Sequence, residues 1–334
     1  MLFRSEHRFL PNCKGLSRIG ALEAEISFNS QGVRGPDYPH QPEPGVLRIL
    51  VLGSSNVLGL GMPDFQTMPF LIQKNLSREL GRRVQVINGA VFGYSTWQSA
   101  TSLRRLLRAY HPHLVIYHLS VPTYFLFDSI WESRLIKDSS GDPLAIDRSI
   151  FSDSSYFRSL NPFLYRHVNI FLYLHSLHEQ LRRLVFSWRL KGKAPAQQAE
   201  IISAATIRAL RYMNHITELE GAKFFAYFHN SNEQIFGGYV PEVLHRNAAI
   251  FISALMPESP PIVRIVQKLM ETMEFPVRMI QFEHAQDRTI PGEVHLNPVG
   301  LAAWEKAIRA KLWESRVLEP FKAPASRGHG QVVK

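Results

Sequence analysis

Uninterrupted apolar runs alternate along this chain with stretches whose apolar positions recur at helical spacing. Val46 to Gly53 (Val-Leu-Arg-Ile-Leu-Val-Leu-Gly) is a continuous β-rich stretch, the pattern of a strand buried on both faces of a parallel sheet. Pro69 to Leu80 then carries helical spacing, with Gly81 as its stop. The alternation continues with a short strand over Val84 to Ile87, an amphipathic helix over Thr96 to Tyr110, and a strand over Leu114 to Leu119. Two further strands are predicted over Lys223 to Phe228 and Val277 to Phe282. Each follows a helical pattern, about Ala199 to Leu219 and Pro261 to Met273, and Pro298 to Trp313 closes the series as a helix. Strands alternating with helices at this rhythm predict an α/β fold, a three-layer α/β/α arrangement around a central parallel sheet. Such sheets present ligands at the carboxyl ends of their strands, so the loops after strands are the places to search for chemistry.

Outside that rhythm lie three segments. Residues 1–45 read as an extended lead-in that ends in the Pro-rich run Pro36 to Gly45. A single domain over 46–318 follows, interrupted by an insertion over about 124–195, and residues 319–334 form a flexible tail. Within the insertion, 161–193 has helical spacing and mixes Phe163, Leu164, Phe171, Leu181 and Trp188 with Arg166, Arg182, Arg183, Arg189, Lys191 and Lys193. Two readings fit: a helical lid that exposes its charges, or a basic amphipathic surface resting on an anionic membrane.

Composition narrows the classes. With 45% hydrophobic and 20% charged residues over 334 positions, wholesale disorder is excluded. Cys13 stands alone, so no intramolecular disulfide and no cysteine-only metal cluster can form. The net charge of +10 favours anionic partners. Zinc-finger spacing, an RNP-like strand and long Lys/Arg runs are all missing, which argues against nucleic acid. The opening residues lack an apolar h-region and no long uncharged apolar stretch follows, so the expected location is cytoplasmic, with peripheral membrane contact through 161–193 as the variant reading. No cofactor is expected: there is no Walker loop, and Gly59-Leu60-Gly61 lacks the third glycine of a dinucleotide fingerprint. No metal is expected either, since His111, His113 and His284 have no third ligand at suitable spacing.

Three loops carry candidate chemistry. Gly53-Ser54-Ser55-Asn56 follows the first predicted core strand and can hold a serine on a tight turn at a helix start, where backbone N–H groups favour an oxyanion. A structural N-cap serine explains the same residues. Asn88 to Thr96 follows the second, with Gly93 able to present its N–H to an oxyanion or to serve an ordinary turn. Gly292 to Gly300 precedes the last helix and places His295 where it could reach Ser55 as a general base, although any one of 14 histidines can be structural.

Taken in order, these segments resemble the SGNH (GDSL-like) hydrolases from about Phe28 to Leu312, apart from the insertion. Asn29-Ser30-Gln31-Gly32-Val33-Arg34-Gly35 resembles an Asn-x-x-Gly-x-Arg-Gly segment that precedes the first strand in bacterial members. Gly53-Ser54-Ser55 resembles the Gly-Asp-Ser block, with Ser54 where aspartate is usual. Asn88 to Thr96 resembles the second block, and His295-Leu296-Asn297-Pro298-Val299-Gly300 the His-x-Asn-x-x-Gly ending of the last. The resemblance implies a flavodoxin-like SGNH hydrolase fold and an ester hydrolase, with Ser55 as nucleophile, His295 as base, and the N–H groups of Ser55 and Gly93 at the oxyanion. Its substrates would be small-molecule or carbohydrate esters, acetyl or other short acyl groups among them. Two positions depart. Pro122 stands where an oxyanion-binding Asn is usual, leaving Ser120 or Thr123 as substitutes. Gly292 stands where the acid that orients the histidine is usual, leaving Glu293, Asp287 or a backbone carbonyl for that task. Two other outcomes are open: transfer of the same acyl group to a sugar hydroxyl, and a catalytically impaired protein that binds a glycan or a membrane-associated partner.

Overall fold

The structure, a computed structural model, describes residues 9–119, 128–129, 131–146, 188, 191–229, 273–280, 288, 290 and 295–322. Its centre is a five-stranded sheet of β3 (Leu47–Leu52), β4 (Val84–Asn88), β5 (Leu114–Leu119), β8 (Lys223–His229) and β9 (Val277–Ile280), in the order β4-β3-β5-β8-β9. Every pairing is parallel. The strands are continuous apolar runs because both sheet faces are covered. Their side chains divide by parity. Leu50, Leu52, Val115, Tyr117 and Ala226 join one buried cluster with α3 (Thr96–Tyr110) and α4 (Pro195–Leu219). Ile49, Val51, Ile116, Phe225 and Tyr227 join another with α2 (Met68–Leu80) and α5 (Pro298–Glu314). This is the three-layer α/β/α arrangement that the pattern predicts, and its strand order is the flavodoxin-like one.

Strand order also marks where ligands should lie. The chain leaves β3 toward β4 on one side, then crosses to β5 on the other. The crevice between the carboxyl ends of β3 and β5 is therefore a topological switch point, and α1 (Ser55–Leu58) begins there.

The lead-in differs from the extended segment predicted for it. Cys13–Ile19 (β1) and Leu22–Phe28 (β2) pair antiparallel as a hairpin around Gly20-Ala21. Ala24, Ile26 and Phe28 turn into the protein while Glu23 and Glu25 face water, the alternation of a sheet buried on one side. A second hairpin, β6 (Leu135–Lys137) with β7 (Pro143–Ile146), lies inside the insertion, where helix is predicted for the second half. Asp138 Oδ1 accepts the Ser140 and Asp142 amides in its turn, and Arg104 of α3 pairs with the same carboxylate at 2.9 Å. Of 161–193 only Trp188 and 191–193 fall among the described residues, so the lid and membrane readings lie outside them. No helix among the described residues is long and apolar enough to cross a membrane.

Arg48 holds the Pro-rich segment to the amino-terminal end of the sheet. It is fully buried in β3 and donates to Gln85 Oε1 (3.1 Å) and to the carbonyls of Pro39 (2.8 Å), His40 (3.1 Å) and Tyr110 (2.7 Å). Its own N–H donates to His113 Nδ1 at 3.0 Å. Substituting Arg48→Met keeps the stem but leaves those oxygens without a donor, at about 1–3 kcal/mol for each that water cannot reach. Because the segment lies at the surface, some will rehydrate. Urea unfolding should therefore show a loss of about 2–4 kcal/mol; a loss within measurement error would mean that the guanidinium is dispensable.

Candidate active site

β3 ends at Leu52, and the next two residues turn the chain into α1. A Cβ on Gly53 would stand 2.7 Å from Val57 Cγ2 and 3.1 Å from His118 Cβ, so only glycine lets α1 and β5 close on this turn. The His118 ring in turn lies 4.7 Å from that of Trp304 and 5.1 Å from that of Tyr227, which makes a buried aromatic floor joined to α5. Ser54, not Ser55, occupies the N-cap position of α1, and its side chain makes no capping bond. Ser55 is the first helical residue, which removes the capping explanation for its hydroxyl.

A four-residue helix cannot hold itself together, because nucleation costs more than one turn of bonds returns. Here the buried Arg34 guanidinium holds it. It donates to the carbonyls of Leu58 (2.7 Å), Gly59 (2.6 Å) and Met62 (2.5 Å) and to Asp64 Oδ1 (2.8 Å). Burial draws the Arg34 pKa down from its usual value, and Asp64 opposes that shift. Asn88, at the end of β4, donates from Nδ2 to Val57 O (3.2 Å) and Leu58 O (3.3 Å). Arg34 is presented by a closed loop: Asn29 Oδ1 accepts the Gln31 and Val33 amides, and Asn29 Nδ2 donates to Pro36 O and Tyr110 Oη.

The histidine comes from the far end of the chain. His295 O accepts the Ile290 amide (2.9 Å), and the Asn297 amide donates to Arg288 O (3.0 Å). Asn297 then caps α5, its Oδ1 accepting the Gly300 amide at 2.9 Å, with Pro298 in the first turn. A Cβ on Gly300 would lie 2.2 Å from Arg288 O. The Asn and Gly of this segment are thus explained by the start of α5, and His295 is left facing the sheet's carboxyl edge. Its Nε2 lies 2.9 Å from Ser55 Oγ, across 240 positions of sequence. Beside that contact, the Leu296 amide donates to Asn56 Oδ1 at 3.1 Å.

Gly93 differs from an open donor. Its N–H donates to Ser54 Oγ at 3.0 Å, and the Val91 amide of the same loop donates to Gly53 O at 3.1 Å. The loop is thus tied to the turn that carries Ser55, with a neutral hydroxyl occupying the Gly93 amide. Ser120, Asp287 and Glu293 lie outside the described residues, as do Pro122 and Gly292. His111 and His113 lie at the opposite end of the sheet, where the latter serves Arg48. Among the described residues, no group of three His, Cys, Asp or Glu side chains is arranged to hold a metal ion.

Sequence reasoning passed over Asp128, the single carboxylate in the apolar stretch Phe125 to Trp131. It is fully buried; its Oδ1 accepts the Trp97 amide (3.0 Å) in the first turn of α3, and its Oδ2 accepts Thr206 Oγ1 of α4 (2.6 Å). It therefore fixes the start of the helix that follows the Gly93 loop. An isolated acid among aromatic and aliphatic neighbours was the available signal.

Together, fold and site define a three-layer α/β protein with a serine–histidine pair at the switch point of its sheet. No protein-family model and no curated relative matches the sequence. Among solved structures, the chain is similar to TesA, at 16% identity over 82% of this chain and 99% of that one, with a TM-score of 0.35. It is also similar to the lipase Lip_vut3 from a goat rumen metagenome, at 12% identity over 79% and 97%, with a TM-score of 0.39. A third is the psychrotrophic esterase EstA from Pseudoalteromonas sp., at 10% identity over 80% and 97%, with a TM-score of 0.40. Overlaps this loose stop short of assigning a family.

Burial raises the Asp128 pKa, against the pull of its hydrogen-bond donors. An acid whose folded pKa is raised stabilises the fold fully below its unfolded pKa. That contribution is lost as pH rises through the folded value. Asp128→Asn keeps the shape and an acceptor for the Trp97 amide without the charge. The variant should therefore gain stability relative to wild type as pH rises from about 4, the ordinary carboxylate value, in urea titrations. A difference that stays constant from about pH 4 upward would show that Asp128 carries no raised pKa.

Proposed function

We propose that this chain is an ester hydrolase that works through a Ser55–His295 centre. The observation that carries the reading is the 2.9 Å contact between Ser55 Oγ and His295 Nε2 at the switch point of the sheet. For Nε2 to take the hydroxyl proton, the imidazole carries its own proton on Nδ1. Ser55 Oγ attacks the carbonyl carbon as its proton passes to Nε2. The tetrahedral intermediate collapses, the bond to the alkoxy oxygen breaks, and the imidazolium returns the proton to the departing alcohol. Water then attacks the acyl-enzyme as its proton passes to Nε2; the bond to Ser55 Oγ breaks, the imidazolium returns the proton to that oxygen, and the acid leaves. The Ser55 amide is one donor for the oxyanion. The Gly93 amide is the second, exchanging its bond to the Ser54 hydroxyl for one to the charged oxygen. Substrates in this reading are small esters or acylated sugars, and a sugar hydroxyl replacing water would make the same centre an acyltransferase.

Labelling with a fluorophosphonate probe and hydrolysis of p-nitrophenyl acetate test the reading. Wild type should label, and Ser55→Ala and His295→Ala should each lose labelling and on the order of 10³-fold or more in kcat. Folded wild-type protein that neither labels nor hydrolyses the ester would refute it.

A further inference from the structure

We infer that Asn56 is the positioning residue that sets the distance between nucleophile and base; the inference rests on the hydrolase reading above. Ser55 and Asn56 are neighbours on α1, and His295 and Leu296 are neighbours before α5. The two pairs are joined twice, by Ser55 Oγ···His295 Nε2 at 2.9 Å and by the Leu296 amide donating to Asn56 Oδ1 at 3.1 Å. A two-rung clamp results, in which one dipeptide grips another across 240 positions. The other bonds described for the histidine segment serve a different purpose. His295 O with Ile290, Asn297 with Arg288, and the Asn297 cap on Gly300 tie the segment to its own neighbours and to α5. They fix its shape, whereas Asn56 fixes its place relative to the serine.

Asn56 suits the task chemically. Of the two ends of the Asn56 amide only Oδ1 can accept, so Oδ1 is the end that faces the Leu296 N–H and Nδ2 is the other. Asn56 is short and sits on a helix whose carbonyls are held by Arg34, so its acceptor oxygen has little freedom to move. A second link matters here because Ser55 and His295 reach the site from opposite ends of the chain. A drift of about 1 Å between reacting groups can cost on the order of 10²-fold in rate.

The test compares Asn56→Ala and Asn56→Asp with wild type, using the fluorophosphonate labelling rate and the pH profile of p-nitrophenyl acetate hydrolysis. Asn56→Ala should lower kcat and the labelling rate about 10- to 100-fold while KM changes less than about twofold. Asn56→Asp keeps an acceptor for Leu296 and should restore activity to within about fivefold of wild type. Its carboxylate beside the imidazole should also move the acid limb of the profile to higher pH, a change that a purely structural role would not produce. The inference is overturned if wild type labels and Asn56→Ala labels within twofold of it. An Asn56→Asp profile that neither recovers activity nor shifts overturns it too. If wild type itself fails to label, the hydrolase reading falls first, and this inference falls with it.

Discussion

The Arg34 guanidinium is the constraint on which the rest of the site depends. It places a cation where almost no water reaches, which is costly unless its donors find acceptors and a counter-charge stands near. Three carbonyls and Asp64 take four of its five N–H groups, and Asp64 supplies the counter-charge. The arrangement also repairs a defect. α1 is one turn long, so the oxygens at its end and in the following turn need donors from outside the helix. Asn88 serves Val57 and Leu58, and Arg34 from the lead-in adds donors to Leu58, Gly59 and Met62, so the helix that carries Ser55 holds its shape without being long.

The same economy explains why residues 240 apart can meet. β3 and β5 are adjacent, and their carboxyl ends open the crevice into which the α1 turn projects. α5 packs back across the same face beside α2. There Asn75 donates to Glu305 (3.0 Å), Arg309 pairs with Glu305 (2.7 Å), and Trp313 Nε1 donates to Glu79 (2.8 Å). The helix that follows α1 is thus bolted to the helix just after the histidine. The sheet sets the crevice, the helix pair sets its walls, and the short bonds at Arg34 and Asn56 set the last ångström.

How much of this was legible in the sequence follows from the range of each signal. Thr96–Tyr110 and Leu114–Leu119 have the bounds that their patterns predict, because burial on one or both faces writes a period into the chain. The hairpin of β1 and β2 was missed although Leu22–Phe28 alternates cleanly; the nearby Pro-rich run had absorbed it into an irregular lead-in. Ser55 and His295 could be singled out because each stands in a loop after a strand. The partners of Asn56, Asp128 and Arg34 could not be read in the same way. Arg34 stands out within Asn29 to Gly35 and Asp128 as an isolated acid, but what each binds is set by tertiary contact, and no period announces such a pairing.

Ser54 shows how one such contact alters the chemistry around it. A carboxylate at this position would bind the Gly93 amide through a charge-assisted bond about twice as strong as a neutral one. The Ser54 hydroxyl accepts the same amide at 3.0 Å without charge. A neutral acceptor still tethers the loop at rest, since the bond contributes about 1 kcal/mol. It competes weakly with a developing oxyanion for the same N–H. In the proposed mechanism, a serine rather than an acid at this position therefore lowers the cost of releasing the Gly93 donor.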